Sequence, residues 1–164
     1  MCIRDRPIPC NIYGPGDHFE LERSHVVSAL VRRFVEAKEN NALSVTLWGT
    51  GTARRELLHC DDLADAVLFL MDNNIGPTPI NVGTGDDVTI RELAEMVKSV
   101  VGYEGAIEFD PTKPDGMPRK VLDVSALHEA GWKHRHELVD GLGDVVRDFY
   151  ERRDNAGSTR LSRQ

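Results

Sequence analysis

Four loop-rich stretches of this chain carry side chains that could bind a ligand or move a proton. They run from Pro9 to Asp17, from Ser24 to Val26, from Leu47 to Glu56 and from Lys113 to Lys120. An imidazole takes or gives a proton near neutrality because its ordinary pKa is about 6.5. A guanidinium can hold phosphate oxygens through two hydrogen bonds. Acid–base chemistry and anion binding are therefore the activities to test against the rest of the sequence.

Each candidate residue also has an explanation that needs no ligand. His25 would be an exposed residue in the first turn of a helix, Arg33 would lie on a solvated helix face, and Arg55 would belong to a surface turn. Trp48 would be a half-buried strand aromatic, and Asp115 would form a tight turn. Without a wider motif, the explanation without a ligand is preferred for the histidine and the two arginines.

Composition indicates one ordinary globular domain with one core. The chain has 164 residues, of which 40% are hydrophobic and 29% charged, and it can bury about two-thirds of its unfolded surface. With 20 Lys+Arg against 27 Asp+Glu, it lacks the cationic field that general phosphate-backbone binders need. We expect no nucleic-acid partner, and any anion must be bound by local charge.

Several classes of site and location are excluded by short patterns. The three cysteines form no CxxC pair and have no histidine at metal-ligand spacing, so neither a disulfide framework nor a metal site is expected. Apolar runs such as Ala66 to Met71 fall far short of the roughly 20 residues of a membrane span. Because residues 1–6 are charged and precede no hydrophobic segment, we expect no secretory signal and a cytoplasmic location.

Hydrophobic periodicity predicts short strands alternating with helices, which is α/β architecture. Strands or extended segments are predicted at Pro7–Ile12, Val45–Trp48, Glu56–His59, Ile80–Val82, Ile107–Phe109 and Val121–Val124. Pro77 and Pro79 are expected to break the chain before the fourth of these. Several of the strands are too short for an independent doubly wound sheet.

Helices are predicted from caps and from apolar spacing. Their spans are Ser24, as N-cap, to Asn40; Asp61 or Asp62, as N-cap, to Met71; a helix from the Thr89–Glu92 capping box to Val101; Ser125–Ala130, stopped by Gly131; and Leu138–Arg153, followed by a frayed polar end. In the second helix, Ala64, Val67, Leu68 and Met71 share one face.

Motifs of self-sufficient dehydrogenases are missing from the sequence. A dinucleotide site needs G-x-G-x-x-G at a strand-to-helix turn, but Arg54 and Val88 stand where the third glycine belongs after Gly49 and Gly83. None of the three tyrosines is followed four residues later by lysine. Neither a G-x-S-x-G nor a Walker lysine occurs.

The four loop stretches, in this order and spacing, resemble the C-terminal half of the GDP-L-fucose synthases, a family of the extended short-chain dehydrogenase superfamily. The resemblance covers Pro7 to Tyr150. His59-Cys60-Asp61-Asp62 and Asn81-Val82-Gly83 are typical of NAD-dependent epimerases and dehydratases generally. The run from Ser24 to Arg33 and the Lys-Pro-Asp-Gly segment at Lys113 are more particular to this branch. The resemblance implies the substrate-binding part of a Rossmann-like α/β fold, with the N-terminal Rossmann half missing.

The resemblance implies the substrate GDP-4-keto-6-deoxy-D-mannose, which the complete enzyme epimerises at C3 and C5 and then reduces at C4 with NADPH. His25 matches the acid–base histidine of the family. Arg33, Trp48 and Arg55 match substrate-contacting positions, and Asp115 matches a hydrogen-bond acceptor for the ligand. Lys113 is a less certain phosphate contact. Alternatives that remain open are another nucleotide-sugar epimerase or 4,6-dehydratase, and a non-catalytic nucleotide-sugar-binding module.

Cofactor contacts are also implied by the resemblance. Pro9, Cys10, Asn11, Ile12 and His25 would border the nicotinamide. NADP(H) would be held mainly by the missing half, which also carries the family's reductase triad and its acid–base cysteine. We therefore expect this chain alone to be inactive and the complete enzyme to be a homodimer. Cys10 is interpreted as a packing residue, and the other five histidines as surface or packing residues.

The resemblance divides the chain into three parts. Residues 7–153 form the substrate-binding part, and 154–164 form a polar tail. Residues 1–6 are charged where the family continues an apolar strand, so we expect that they are not the natural upstream sequence.

Overall fold

The computed structural model describes residues 7–20, 23–73 and 78–161, and their side chains as far as residue 155. The predictions for residues 1–6, for Pro77 and for the last three residues lie outside this part. Among the described residues, no helix has the length and apolar character needed to cross a membrane.

Among the described residues, nine short strands are interspersed with five helices, which confirms the predicted α/β architecture. The strands are β1 (Pro7–Pro9), β2 (Asn11–Tyr13), β3 (Ser44–Trp48), β4 (Arg54–Arg55), β5 (Leu57–His59), β6 (Ile80–Val82), β7 (Val88–Thr89), β8 (Ala106–Asp110) and β9 (Arg119–Lys120). The helices are α1 (Val26–Glu39), α2 (Cys60–Asp72), α3 (Ile90–Val101), α4 (Ser125–Glu129) and α5 (Leu138–Leu161).

The strands form several small sheets. Parallel pairs join β1 to β6, β2 to β5 and β3 to β8. In the remaining sheet, β4 is central, antiparallel to β7 and parallel to β9. Sequence analysis predicted neither β7 nor β9, and it expected an extended segment at Val121–Val124, which pairs with no strand. These two-residue strands depend on pairing with β4, which no local pattern reveals.

The buried residues form two clusters, whereas composition predicted one core. The first cluster joins α1, α3 and α5 to β3 and includes Phe34, Leu93, Val97 and Leu142. The second lies between α2, α4 and the β1–β6 pair and includes Cys10, Leu58, Leu127 and Trp132. Cys10 is thus a packing residue, as predicted.

Helix caps show where local pattern succeeds and where it fails. The Thr89–Glu92 capping box is present in both directions, and Gly102 ends α3 in the left-handed conformation. The predicted N-cap Ser24 is wrong by one residue, because His25 occupies that position. The N-cap of α2 is His59, whose Nδ1 accepts from the Asp61 N–H, rather than Asp61 or Asp62.

The last helix is longer than predicted. The predicted end at Arg153 is wrong, because α5 continues to Leu161. Arg153 itself is held by two hydrogen bonds of 2.7 Å to the Glu39 carboxylate of α1. This ion pair joins two helices far apart in sequence, so periodicity along α5 alone could not reveal it.

Candidate functional site

Trp48 ends β3, and Arg33 is hydrogen-bonded to the same strand. The indole is 63% exposed, more than the half-buried aromatic that sequence suggested. Thr46 and Trp48 lie on the same face of the strand, and the Thr46 carbonyl accepts a hydrogen bond of 3.2 Å from Arg33 Nη1. Lys113 Nζ lies 6.0 Å from the centre of a Trp48 ring, within the range of a cation–π interaction. An exposed aromatic ring thus has a lysine ammonium beside it, and an arginine is bonded to the same strand two residues earlier.

Asp115 closes the turn that follows β3. Its carboxylate accepts hydrogen bonds from the Thr50 N–H at 2.6 Å and the Thr50 hydroxyl at 2.8 Å. Gly49 approaches Asp115 so closely that a Cβ would collide with its carboxylate, and Gly49 has a φ of 78°. The two Thr50 bonds lower the pKa of the Asp115 carboxyl. This residue therefore connects two loops of the site as well as being exposed to a ligand.

Arg55 lies beside the same loop. Its Nη1 donates to the carbonyls of Arg54 and Met117, each at 2.7 Å. A guanidinium carries five N–H donors. Among the described residues, those on the other two nitrogens of Arg55 remain available to bind a phosphate. Arg55 also lines a cleft with Tyr13, Thr84, Asp86 and His136. We refer to Arg33, Trp48, Lys113, Asp115 and Arg55 as the β3-end cluster.

Glu56 is a buried carboxylate that sequence analysis missed. It is fully buried, and its two oxygens accept from the Gly85 N–H and the Leu122 N–H, each at 2.8 Å. Gly83 leaves the space that the carboxylate fills. The signal in the sequence was a charged residue directly before Leu57 and Leu58. Glu56 ties two loops to the strand region that carries Arg55.

The two glycine loops do not fit a dinucleotide pyrophosphate. In each loop, a carboxylate of the chain lies where a phosphate would lie and accepts a hydrogen bond from a backbone N–H that the phosphate would need. Asp115 accepts from the Thr50 N–H, and Glu56 accepts from the Gly85 N–H. This agrees with the missing third glycine in the sequence. The described residues therefore do not by themselves form a site for the phosphates of NADP(H).

The predicted nicotinamide-facing segment runs through β1 and β2. Pro9 is exposed and Cys10 is buried. Burial, followed by the nearby Glu56 charge, raises the pKa of the Cys10 thiol to about 12, so the thiol stays protonated and is not a nucleophile. The Asn11 side-chain amide donates to the Glu56 carbonyl at 2.8 Å and accepts from Lys120 at 3.3 Å. Asn11 thus joins this segment to the strand region of Arg55.

His25 stands at the N-terminus of α1 with its side chain 74% exposed. Its Nδ1 lies 3.2 Å from an oxygen of Asp17. Arg33 follows eight residues later on the same helix, about 12 Å along its axis. His25 and Arg33 thus lie at two points along one helix. Among the described residues, no direct contact joins His25 to the β3-end cluster.

A histidine group beside the cleft has a structural explanation. His59, Asp61 and His136 bring possible ligand atoms within 4.8 Å of one another. The two imidazoles are stacked, however, with centroids 4.2 Å apart and planes at 23°. Lone pairs lie in the ring planes, so nearly parallel rings do not direct them to a common ion. His136 Nδ1 instead bonds Asp62 at 3.0 Å.

Comparison with known proteins finds similar chains among the GDP-L-fucose synthases. Residues 7–83 match the model of the NAD dependent epimerase/dehydratase family. The chain is 54% identical over 144 residues to the probable GDP-L-fucose synthase 1 of Oryza sativa subsp. japonica, covering 88% of this chain and 44% of that protein. It is 49% identical over 156 residues to the GDP-L-fucose synthase of Escherichia coli K12, covering 90% and 49%.

Solved structures agree with these relatives. A GDP-L-fucose synthetase from Naegleria fowleri bound to NADP superimposes with a TM-score of 0.83 at 25% identity, over 90% of this chain and 46% of that one. A GDP-mannoheptose C4 reductase from Campylobacter jejuni with NADP bound gives 0.77 at 34% identity, over 88% and 52%. The chain spans about half the length of the relatives it matches. Over that span it is similar to the GDP-L-fucose synthases, and its residues 7–83 match the NAD dependent epimerase/dehydratase family model.

Proposed function

We propose that this chain supplies the sugar-nucleotide-binding part of a GDP-L-fucose synthase. The observation that carries the proposal is the exposed Trp48 ring with Lys113 beside it and Arg33 bonded to the same strand, in a chain about half identical to enzymes of that name. An aromatic face and two cations suit a ligand that joins a flat base or sugar ring to a diphosphate. The assignment of residues 7–153 to this part belongs to the proposal.

The proposed reaction begins with proton transfers on the sugar. In GDP-4-keto-6-deoxy-D-mannose, the ketone acidifies the protons at C3 and C5, so that a base and an acid on opposite faces of the ring can invert both centres through enolates. His25 serves as one of these two groups because its ring is exposed and an imidazole can accept or donate a proton. Arg33 and Arg55 bind the diphosphate, Trp48 packs on a ring of the ligand, and Asp115 orders the loop beside it and accepts from ligand donors.

The reductive step belongs to the complete enzyme. NADP(H) supplies the hydride that reduces the ketone at C4, and the proposal places its binding mainly outside this chain. Pro9, Asn11 and Ile12 would border the cofactor. The proposal also includes the homodimer and the cytoplasmic location. Alone, this chain should leave the NADPH absorbance unchanged when mixed with the keto sugar nucleotide, and measurable oxidation would contradict this.

Titration calorimetry with GDP tests the binding proposal on the chain itself. Trp48→Ala and Arg33→Ala should each weaken binding roughly tenfold, which corresponds to about 1.4 kcal/mol. Leu43→Ala is the matched control, because Leu43 is also strongly exposed and lies at the other end of the β3 region. GDP binding that is undetectable, or equal in all four proteins, would refute the proposal.

A different nucleotide sugar is the alternative within the same chemistry. The comparisons give it no support over the GDP-sugar, since the relatives that share about half of their residues with this chain carry the GDP-L-fucose synthase name. UDP in the same calorimeter separates the two. Tighter binding of UDP than of GDP would favour the alternative.

A further inference from the structure

We infer that Asp17 is a positioning residue for His25 that holds the proton on Nδ1 and leaves the lone pair on the outward Nε2. This inference rests on the proposed role of His25 as an acid–base group. It adds a residue to that role, since the motif that ends at Asp17 gave this residue no function of its own.

The Asp17 carboxylate is fixed by donors other than His25. The Ser28 hydroxyl donates to Oδ2 at 2.5 Å, and the His18 N–H donates to Oδ1 at 2.7 Å. Ser28 is buried in the first turns of α1, so this bond attaches the carboxylate to the helix that His25 caps. The Asp17 side chain is only 14% exposed, and its orientation is therefore defined before any ligand arrives.

The backbone around Asp17 is attached to the last helix. The Gly16 N–H donates to Asp148 of α5 at 3.0 Å. Arg152, one turn further along α5, donates to the Asp17 carbonyl at 3.1 Å and to Asp148 at 2.9 Å. The loop that presents the carboxylate is thus anchored on two helices.

The charge state of Asp17 determines the proton on His25. Burial by itself would raise the pKa of the Asp17 carboxyl, but hydrogen bonds from Ser28, the His18 N–H and His25 outweigh it and lower the pKa below its ordinary value. The group is ionised at neutral pH and can only accept hydrogen bonds. The nitrogen 3.2 Å away, Nδ1 of His25, must therefore be the protonated one.

This arrangement prepares the imidazole for proton transfer. With Nδ1–H directed at a carboxylate, the neutral ring has its free lone pair on Nε2, which can accept a proton from a carbon acid. The resulting imidazolium keeps its Nδ1 proton, and the adjacent carboxylate stabilises its charge. The same relation between an aspartate and a histidine orients the base in serine proteases.

Long-range 1H–15N NMR spectra of the unliganded chain test the inference above pH 8. In the wild-type chain, His25 Nε2 should show the shift of an unprotonated nitrogen and Nδ1 that of a protonated one. Asp17→Asn should weaken this preference because the acceptor is no longer charged, and Asp17→Ala should abolish it. Glu20→Gln is the matched control, since it neutralises an exposed carboxyl group of the same loop and should leave the tautomer unchanged.

The wild-type spectrum alone can overturn the inference, so the result does not depend on the folding of a variant. A proton on Nε2 in the wild-type chain would contradict it, as would an unchanged tautomer in a folded Asp17→Ala chain. The measurement needs no ligand. Loss of GDP binding with the predicted tautomer intact would overturn the proposed function and leave the structural relation between Asp17 and His25 in place.

Discussion

Helices α3 and α2 carry similar apolar patterns in the sequence, but α3 buries its predicted apolar face whereas α2 exposes it. In α3, Leu93, Ala94, Val97 and Val101 of the predicted apolar face are all buried, whereas Ile90 at its start is half-buried. In α2, the predicted stripe is directed outward, and Leu68 and Met71 are 61% and 69% exposed. The residues that α2 buries are Asp62, Ala66 and Leu70.

The difference follows from what each helix packs against. Helix α3 lies in the first cluster with α1 and α5, which cover its single apolar face. Helix α2 lies on β2 and β5 through the small Ala66 and Leu70, and it has a second apolar face on the opposite side. Periodicity identifies a helix, but where two faces are apolar it does not say which one a given partner covers. Substitutions on the two helices can test this contrast.

The largest difference should come from truncating matched leucines. Leu93→Ala removes a fully buried side chain and should lower the free energy of unfolding by about 2–5 kcal/mol. Leu68→Ala should change it by less than about 0.5 kcal/mol. Urea denaturation followed by circular dichroism measures both. Equal losses would show that the α2 stripe is covered in solution.

The next largest effect concerns the buried carboxylate of α2. Asp62 accepts from the Arg135 and His136 N–H groups, each at 3.1 Å, so Asp62→Ala leaves these donors unpaired and should cost about 1–3 kcal/mol in total. Asp65→Ala is the control, because Asp65 is more exposed on the same helix and bonds the Trp132 indole. A smaller loss for Asp62 than for Asp65 would contradict the prediction.

The pH dependence of that loss has a definite window. Burial opposes ionisation of Asp62, but bonds from His136 and the Arg135 N–H outweigh it and lower the Asp62 pKa. The stabilisation by ionised Asp62 is present above about 3.9, the pKa of an unfolded aspartate. It is lost as pH falls through the lower pKa of Asp62 in the folded chain. The hydrogen bond to Asp62 raises the pKa of His136. The stabilisation by protonated His136 is therefore complete below about pH 6.5, the pKa of an unfolded histidine, and is lost as pH rises through the higher folded pKa. The difference between wild-type and Asp62→Asn unfolding should therefore be greatest between about pH 4 and 6.5. A difference independent of pH would refute the coupling.

The helix caps predict a smaller effect. Thr89→Ala removes one side of the capping box of α3 and should cost about 1 kcal/mol. Thr112→Ala is a comparison on a loop, since Thr112 bonds Asp110 outside any helix. Thermal unfolding of both variants measures the difference, and a larger loss at the loop threonine would argue against the importance of the cap.

The smallest effect is expected from polar substitution of the outward stripe. Leu68→Ser and Met71→Ser should each alter the free energy of unfolding by at most about 0.5 kcal/mol, with a helix-propensity loss as the main cause. Guanidinium denaturation measures this. A loss above about 2 kcal/mol would show a buried contact.

Local chemistry predicted the parts of the fold that depend on few residues. The Thr89–Glu92 capping box, the Gly131 stop and the β3 strand end at Trp48 all follow from neighbouring side chains. His59 as a cap could not be predicted, because its Nδ1 is one acceptor among several polar groups in the same turn. The burial of Asp62 depends on N–H groups more than seventy residues later in the chain.

The candidate site was predicted in its residue types but not in its connections. His25, Arg33, Trp48, Arg55 and Asp115 came from motif resemblance, and their roles remain predictions that the experiments above test. The bonds of Asp115 to Thr50 and of Glu56 to Gly85 and Leu122 were not foreseen. Carboxylates that satisfy backbone N–H groups of distant loops leave no periodic signal, since their partners are selected by the tertiary fold.

The attachment of the Asp17 loop to α5 has a consequence for the order of folding. The bonds from Gly16 to Asp148 and from Arg152 to Asp17 join residues 132 and 135 positions apart. Contacts of such high sequence separation form late, because closing a long loop costs entropy before any bond compensates it. On the ribosome, the segment beside His25 can reach its final geometry only after the α5 residues that hold it have emerged.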